Sequence, residues 1–126
     1  MDPKRILVVD DEDDIREVAA FALQAVGGWQ VLTAASGRQA LALAAAHRPD
    51  AILLDVMMPE LDGPATVVAL RDDPATRNIP VVLLTAKVQA ADRQRFSQLA
   101  ISGVLSKPFD PMALPGQLRD ALATTA

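Results

Sequence analysis

The sequence predicts an α/β fold in which helices cover both faces of one parallel sheet. Short apolar runs recur along the chain, and they are continuous rather than alternating, which is typical of strands buried on both faces. Between these runs lie segments whose apolar residues repeat at helical spacing. Strand and helix alternate five times, and this alternation indicates parallel strands joined by helical crossovers.

The bulk properties favour one domain spanning residues 1–126, with no segment that would form an output domain. A chain of 126 residues that is 51% hydrophobic can fill one core. A net charge of −4 and a pI of about 4.8 disfavour non-specific nucleic-acid binding, which needs a basic surface. No apolar run approaches the roughly 20 residues of a membrane helix. Without cysteine or a signal-peptide pattern, we expect a cytoplasmic protein with no membrane insertion.

Capping and breaking residues mark the expected elements. We predict strands at 6–9, 29–34, 51–54, 81–84 and 104–106, and helices after residue 13, at 38–46, 65–71 and 90–100, and from residue 110. Asp13 or Asp14 can cap the first helix, Gly27 and Gly28 end it, and Ser36 can cap the second. The buried face of the first helix is expected to comprise Ile15, Val18, Ala19, Ala22 and Val26.

Chemically reactive residues stand where the predicted strands end. Asp10 and Asp11 follow the first strand, and Asp55, Thr85 and Lys107 end the third, fourth and fifth. Because ligands of open parallel sheets bind beyond the carboxyl ends of the strands, we expect these residues to share one crevice. Carboxylates ~5 Å apart repel by roughly 3 kcal/mol per pair at an effective dielectric of ~20, which protonation or a divalent cation would relieve. Oxygen ligands on an open site suit Mg²⁺.

Thr85 and Lys107 would add a hydroxyl and an ammonium to this crevice. Such donors stabilise charge on phosphoryl oxygens, and Asp55 would then be the nucleophile that carries the phosphoryl group. Taken alone, Asp55 fits a turn-capping role equally well. His47, the single histidine, falls in the last turn of a predicted helix, where a structural role is favoured over that of a phosphoryl carrier.

Four stretches together resemble the receiver domain of two-component response regulators, of the small chemotaxis-regulator type. They are residues 6–12 (ILVVDDE), 53–59 (LLDVMMP) with Asp62 and Gly63, 83–86 (LLTA) and 107–109 (KPF). The resemblance covers nearly the whole chain. It implies a flavodoxin-like sheet of order 2-1-3-4-5 with five helices, and a cis peptide bond between Lys107 and Pro108.

The resemblance also implies the partners and the metal. Asp55 would accept a phosphoryl group from the histidine of a sensor kinase or a histidine phosphotransfer protein, and the signal would pass to a downstream protein that the sequence does not identify. Mg²⁺ would be bound directly by Asp11 and Asp55 and by the main-chain carbonyl of Met57, with Asp10 acting partly through water. Thr85 and Lys107 would contact the phosphoryl oxygens. Main-chain N–H groups near Met57 and Ala86 would contact them too.

Two positions bear on partner docking and on signal output. Relatives often have an aromatic residue three positions before the lysine, where it reorients with Thr85 on phosphorylation, but this chain has Val104. The phosphorylation chemistry is unaffected, whereas the usual output route is put in doubt. Ile15, beside the site, is either an ordinary core residue or a partly buried contact for a helical phosphodonor, and the sequence favours neither.

Three other functions share features with this sequence. A pseudo-receiver that binds partners without phosphorylation is the alternative, although every residue of the site is present. An aspartyl phosphatase of the haloacid-dehalogenase type would need a second aspartate where Met57 stands. A nucleotide-binding site would need a glycine-rich loop after the first strand, where acids stand instead. We therefore expect a signalling phospho-acceptor, with self-phosphorylation from small donors and self-dephosphorylation, rather than an enzyme.

Overall fold

A five-stranded parallel sheet forms the centre of the molecule. The computed structural model describes residues 4–86 and 90–123. The strands are β1 (Arg5–Val9), β2 (Gln30–Ala34), β3 (Ala51–Asp55), β4 (Val81–Thr85) and β5 (Gly103–Ser106). Their order is β2-β1-β3-β4-β5, and every neighbouring pair is parallel. The predicted fold class and strand order are therefore confirmed.

Five helices cover the sheet and divide the core into two layers. They are α1 (Asp13–Ala25), α2 (Gly37–His47), α3 (Gly63–Asp72), α4 (Ala90–Ser97) and α5 (Leu114–Ala123). On one face, Ile52 and Leu54 of β3 belong to a buried cluster with residues of α2, α3 and α4. On the other face, Leu53 belongs to a second cluster with residues of α1 and α5. Successive β3 residues thus point into opposite layers, which explains the continuous apolar run.

No helix within the described ranges has the length and apolar character needed to cross a lipid bilayer.

The helix ends agree with the sequence in α2 but not in α1. Ser36 caps α2, since its side chain accepts a 3.1 Å hydrogen bond from the Gln39 N–H. The expectation that Asp13 or Asp14 caps α1 was wrong. Glu12 occupies the cap position without a side-chain cap hydrogen bond, and both aspartates lie in the first turn of the helix. In that position their negative charges still interact favourably with the positive end of the helix dipole.

The predicted buried face of α1 was partly wrong. Val18 and Val26 are 44% and 46% exposed, whereas Ala19, Ala22 and Leu23 are buried. The buried stripe is narrower than the apolar pattern suggested, and it consists of two alanines and one leucine. Val26 follows the last residue of the helix, and the pattern did not identify Leu23. Ile15 is only partly buried.

The last two helices are shorter than expected. α4 ends at Ser97, and α5 begins at Leu114, four residues after Asp110. Residues 111–113, between Asp110 and the start of α5, form a turn in which the N–H groups of Ala113 and Leu114 donate to the Asp110 carbonyl. Phe96 is buried, and Leu99 packs against the same core cluster.

Gly63, the first residue of α3, allows the backbone of α3 to lie close to the backbone at the end of β3. A Cβ at Gly63 would lie 2.5 Å from the Asp55 carbonyl oxygen and 2.9 Å from the Val56 Cα. The Gly63 N–H also donates a 2.9 Å hydrogen bond to the Val56 carbonyl. The loop that follows Asp55 is therefore packed directly against the end of β3.

We expect Gly63→Ala to lower the free energy of unfolding by at least ~2 kcal/mol, because the added methyl group would overlap backbone atoms that cannot rotate away. Gly116→Ala is the matched control. Its added Cβ would meet nothing within 4 Å inside α5, so it should be neutral or stabilise by up to ~1 kcal/mol. Urea unfolding followed by the fluorescence of buried Trp29 measures both. Equal stability of Gly63→Ala and the wild type would contradict the close packing.

Candidate functional site

The structure brings the predicted strand-end residues together at the carboxyl edge of the sheet. One carboxylate oxygen from each of Asp10, Asp11 and Asp55 lies within 4.8 Å of the others. Lys107 reaches into this group from the end of β5: its Nζ lies 2.8 Å from Asp10 Oδ2 and 3.1 Å from Asp55 Oδ1. Three acids and one ammonium from three strand ends thus form one cluster.

The backbone holds Asp10 in a fixed orientation. Its N–H donates to the Ala34 carbonyl at 3.1 Å, and its Oδ1 accepts a 2.9 Å hydrogen bond from the Glu12 N–H. Its other oxygen, Oδ2, is buried and forms the ion pair with Lys107. Among the described residues, no donor reaches Oδ2 with hydrogen-bond geometry. Asp10 is 1% exposed, whereas Asp11 lies on the surface.

Asp55 is the acid whose protonation the site changes most. It is 3% exposed, and burial raises its pKa from 3.8 to about 6. The hydrogen bond and charge of Lys107 oppose this rise, and the charges of Asp10 and Asp11 add to it, so that burial remains the dominant cause. Burial lowers the pKa of Lys107, but its interactions with Asp10 and Asp55 more than compensate, so that its pKa is raised. Lys107 therefore stays protonated beside the carboxylates.

Thr85 and Lys107 are tied together by the main chain. Thr85 ends β4 and is 4% exposed, and its carbonyl accepts a 2.8 Å hydrogen bond from the Lys107 N–H. The peptide bond between Lys107 and Pro108 is cis, as expected. Met57 and Ala86 lie on the surface in the segments that follow β3 and β4, and the Met57 side chain is 75% exposed.

Val104 lies outside the cluster, on β5 opposite Leu83. Its side chain is 36% exposed, and it lines a surface cleft of about 550 Å³ that also borders Phe96 and Leu99. His47 lies at the far edge of the sheet. Its carbonyl is 3.5 Å from Nη1 of Arg5, the first residue of β1. The histidine is therefore remote from the acidic cluster.

The cluster fits a divalent cation. Three carboxylates facing the ammonium of Lys107 leave two uncompensated negative charges, and the buried Asp10 Oδ2 is contacted among the described residues by that ammonium alone. Hard oxygen ligands that include the exposed Asp11, which leaves room for water, suit Mg²⁺. The donor set therefore agrees with the metal expected from the sequence.

Sequence reasoning missed two features beside the cluster. Arg16 Nη1 donates a 2.9 Å hydrogen bond to the Asp10 carbonyl. The sequence offered one signal for this contact: an arginine in the first turn of a helix is disfavoured by the helix dipole, which indicates that it has another partner. The second feature is a small apolar pocket of about 230 Å³, lined by Asp14, Ile15, Val18, Lys107, Pro108 and Phe109. Ile15 thus borders an open pocket next to Lys107.

Comparisons with known proteins agree with this geometry. The family model described as the response regulator receiver domain matches residues 6–119. The chain is 39% identical to a probable transcriptional regulator ycf27 of Cyanophora paradoxa, with 97% of this chain and 49% of that protein covered. It is 46% identical to the response regulator PleD of Caulobacter vibrioides, with 91% of this chain and 25% of PleD covered. The chain therefore spans half or less of these relatives' lengths.

A solved structure matches over almost its full length. The chemotaxis protein CheY4 of Vibrio cholerae is 36% identical and superimposes with a TM-score of 0.87, covering 94% of this chain and 98% of that one. The strand order and the two-layered helical cover described above are thus shared with a protein of known structure.

The raised pKa of Asp55 predicts how stability depends on pH in metal-free solution. Between 3.8 and about 6 the folded protein binds more protons than the unfolded chain, so the free energy of unfolding should fall as the pH rises through this window. Asp55→Asn removes this dependence. Near neutral pH without Mg²⁺, we expect the variant to be more stable by ~2 kcal/mol, since one pKa unit corresponds to about 1.4 kcal/mol and solvent screens part of the effect.

Urea unfolding of wild type and Asp55→Asn across this pH range, with a chelator present, measures the difference. The exposed Asp72→Asn at the end of α3 is the control and should follow the wild type at every pH. A wild type at least as stable as Asp55→Asn near neutral pH would contradict an unfavourably buried carboxylate at position 55.

Proposed function

The chain belongs to the response regulator receiver domain family of two-component signalling, and on that basis we propose that Asp55 accepts a phosphoryl group from a histidine. The donor would be a sensor kinase or a histidine phosphotransfer protein. The observation that carries the proposal is the contact of Lys107 Nζ with Asp55 Oδ1, at 3.1 Å and away from solvent. A buried ammonium beside the nucleophile is positioned to stabilise charge on the transferring group.

The transfer follows from this arrangement. An oxygen of the Asp55 carboxylate attacks phosphorus, the bond between phosphorus and the donor's imidazole nitrogen breaks, and the donor is released as neutral histidine after proton exchange with solvent. Lys107 pairs with both Asp10 and Asp55 before transfer. Its ammonium can therefore move from Asp55 to the phosphoryl oxygens while it keeps its ion pair with Asp10. The hydroxyl of Thr85 and N–H groups near Met57 and Ala86 are assigned to the remaining phosphoryl oxygens.

We assign the metal site to Asp10, Asp11, Asp55 and the main-chain carbonyl of Met57. When bound, Mg²⁺ would draw charge from the phosphoryl oxygens. Asp11 is the better direct ligand because its carboxylate is exposed and carries no hydrogen bond or ion pair within the described residues. Asp10 already receives the Glu12 N–H and pairs with Lys107, which suits a role through water.

The apolar pocket beside Lys107 supports the docking interpretation of Ile15. Ile15 is partly buried and lines this pocket together with Val18 and Phe109, and it does not belong to either core cluster. An apolar side chain from the donor's helix would fit there, close to Asp55. We therefore propose that Ile15 contacts the phosphodonor rather than stabilising the core.

Incubation with Mg²⁺ and acetyl phosphate should add one phosphoryl group to the wild type, and none to Asp55→Asn, because only the carboxylate is a nucleophile. Asp72→Asn, which alters an exposed acid at the end of α3, is the control and should be modified like the wild type. Intact-mass spectrometry measures the product. An equal mass increase in Asp55→Asn would rule out Asp55 as the acceptor, and no increase in a Mg²⁺-saturated wild type would favour a pseudo-receiver.

The position of Val104 predicts how far the signal spreads. This β-branched side chain is too short to reach from the cleft wall to the acceptor site, so phosphorylation should affect the site loops strongly and residues 104–122 weakly. Output would then use the site face and α1, as suits a phosphoryl shuttle. Amide chemical shifts with and without beryllofluoride, a phosphoryl mimic, measure the spread.

Val104→Phe is the informative variant for this experiment, because the adjoining cleft has room for an aromatic ring. It should extend the shift changes into β5 and α5. Large changes across residues 104–122 in the wild type would contradict the prediction and would show that another side chain carries the signal.

A further inference from the structure

Arg16 connects the two ends of the acidic turn that follows β1. Its side chain is 17% exposed, although it lies in the first turn of α1. Nη1 donates a 2.9 Å hydrogen bond to the main-chain carbonyl of Asp10, and Nη2 forms an ion pair with Asp13. One planar guanidinium therefore holds two points of the chain that are separated by Asp11 and Glu12.

Asp11 depends on this turn for its position. Its carboxylate is exposed and makes no hydrogen bond or ion pair among the described residues, so its direction follows from the backbone alone. The backbone on either side is fixed, by Arg16 at Asp10 and by the hydrogen bond from the Arg16 N–H to the Glu12 carbonyl at 3.0 Å. Without the guanidinium, the turn would lose the contacts of Arg16 with Asp10 and Asp13 and would keep the hydrogen bond from the Glu12 N–H to Asp10 Oδ1.

We propose that Arg16 is a positioning residue for the divalent-cation site. It fixes the turn so that the Asp11 carboxylate faces Asp55, and it does so through the Asp10 carbonyl, without touching the cation. This inference rests on the proposed role of Asp10, Asp11 and Asp55 as cation ligands. It assigns to Arg16 a function that is separate from helix stability, where an arginine at this end of α1 is unfavourable.

Charge alone would act in the opposite direction, which makes the proposal testable. A guanidinium near the site repels a dication, so a purely electrostatic role predicts that Arg16→Gln tightens Mg²⁺ binding. A positioning role predicts weaker binding. Arg16→Lys separates the two effects further, because lysine keeps the charge but its single ammonium does not reproduce the planar two-point contact.

The experiment is a titration with Mg²⁺ alone, without a phosphodonor, monitored by the amide chemical shifts of residues 10–12 and 55–57. We expect Arg16→Gln and Arg16→Lys each to weaken binding by about tenfold, the lower end of the range for residues that orient metal ligands. Arg38→Gln is the matched control. It breaks the Arg38–Glu60 pair, at 3.8 Å with both side chains largely exposed, and should leave the affinity unchanged.

The outcomes separate the two proposals. No Mg²⁺ binding by the wild type would overturn the proposed cation site, and the inference with it. A wild type that binds while Arg16→Gln binds equally well or more tightly would overturn the positioning role alone. Should Arg16→Gln lose its native spectrum, Arg16→Lys decides, since unchanged affinity in that folded variant equally overturns the proposal.

Discussion

The contact of one ammonium with two buried carboxylates organises this molecule. Lys107 lies 2.8 Å from Asp10 and 3.1 Å from Asp55 at the end of the sheet. Burying two acids is unfavourable unless they are paired, and Lys107 offsets only part of that cost, since the pKa of Asp55 is still raised to about 6. With Asp11 included, the site keeps an excess of negative charge. In the proposed function this excess attracts the divalent cation, and the cation together with Lys107 offsets the charge of the incoming phosphoryl group.

The fold keeps these charges together because each is attached to a rigid element. Asp55 is the last residue of a strand buried on both faces, and Gly63 lets the following loop pack directly on its carbonyl. The hydrogen bond from the Lys107 N–H to the Thr85 carbonyl joins the ends of the fourth and fifth strands. The apolar layers on both sides hold the strands in register, and this fixes the relative positions of the side chains at the strand ends.

Much of the fold and of the candidate site was predictable from the sequence, and there is a physical reason why the remaining features were not. Continuous apolar runs identified the strands, and their expected parallel arrangement then placed Asp10, Asp11, Asp55, Thr85 and Lys107 at one edge. The buried face of α1 was misjudged because Val18 and Val26 fit the helical spacing of the apolar residues, but the helix turns both towards solvent and buries Leu23 instead. The sequence showed an arginine near the start of α1 but not its contact with the Asp10 carbonyl, which depends on the turn that joins β1 to α1. The pairing of Lys107 with two acids likewise requires tertiary structure.

The central claim is that Asp55 carries the phosphoryl group while the neighbouring acids hold the cation. A crystal structure determined with Mg²⁺ and beryllofluoride tests it most directly. The account predicts beryllium bonded to an Asp55 carboxylate oxygen, fluorines contacted by Lys107 and Thr85, and Mg²⁺ bound by Asp11, Asp55 and the Met57 carbonyl. Beryllofluoride on another residue, or a cation held without Asp55, would contradict it.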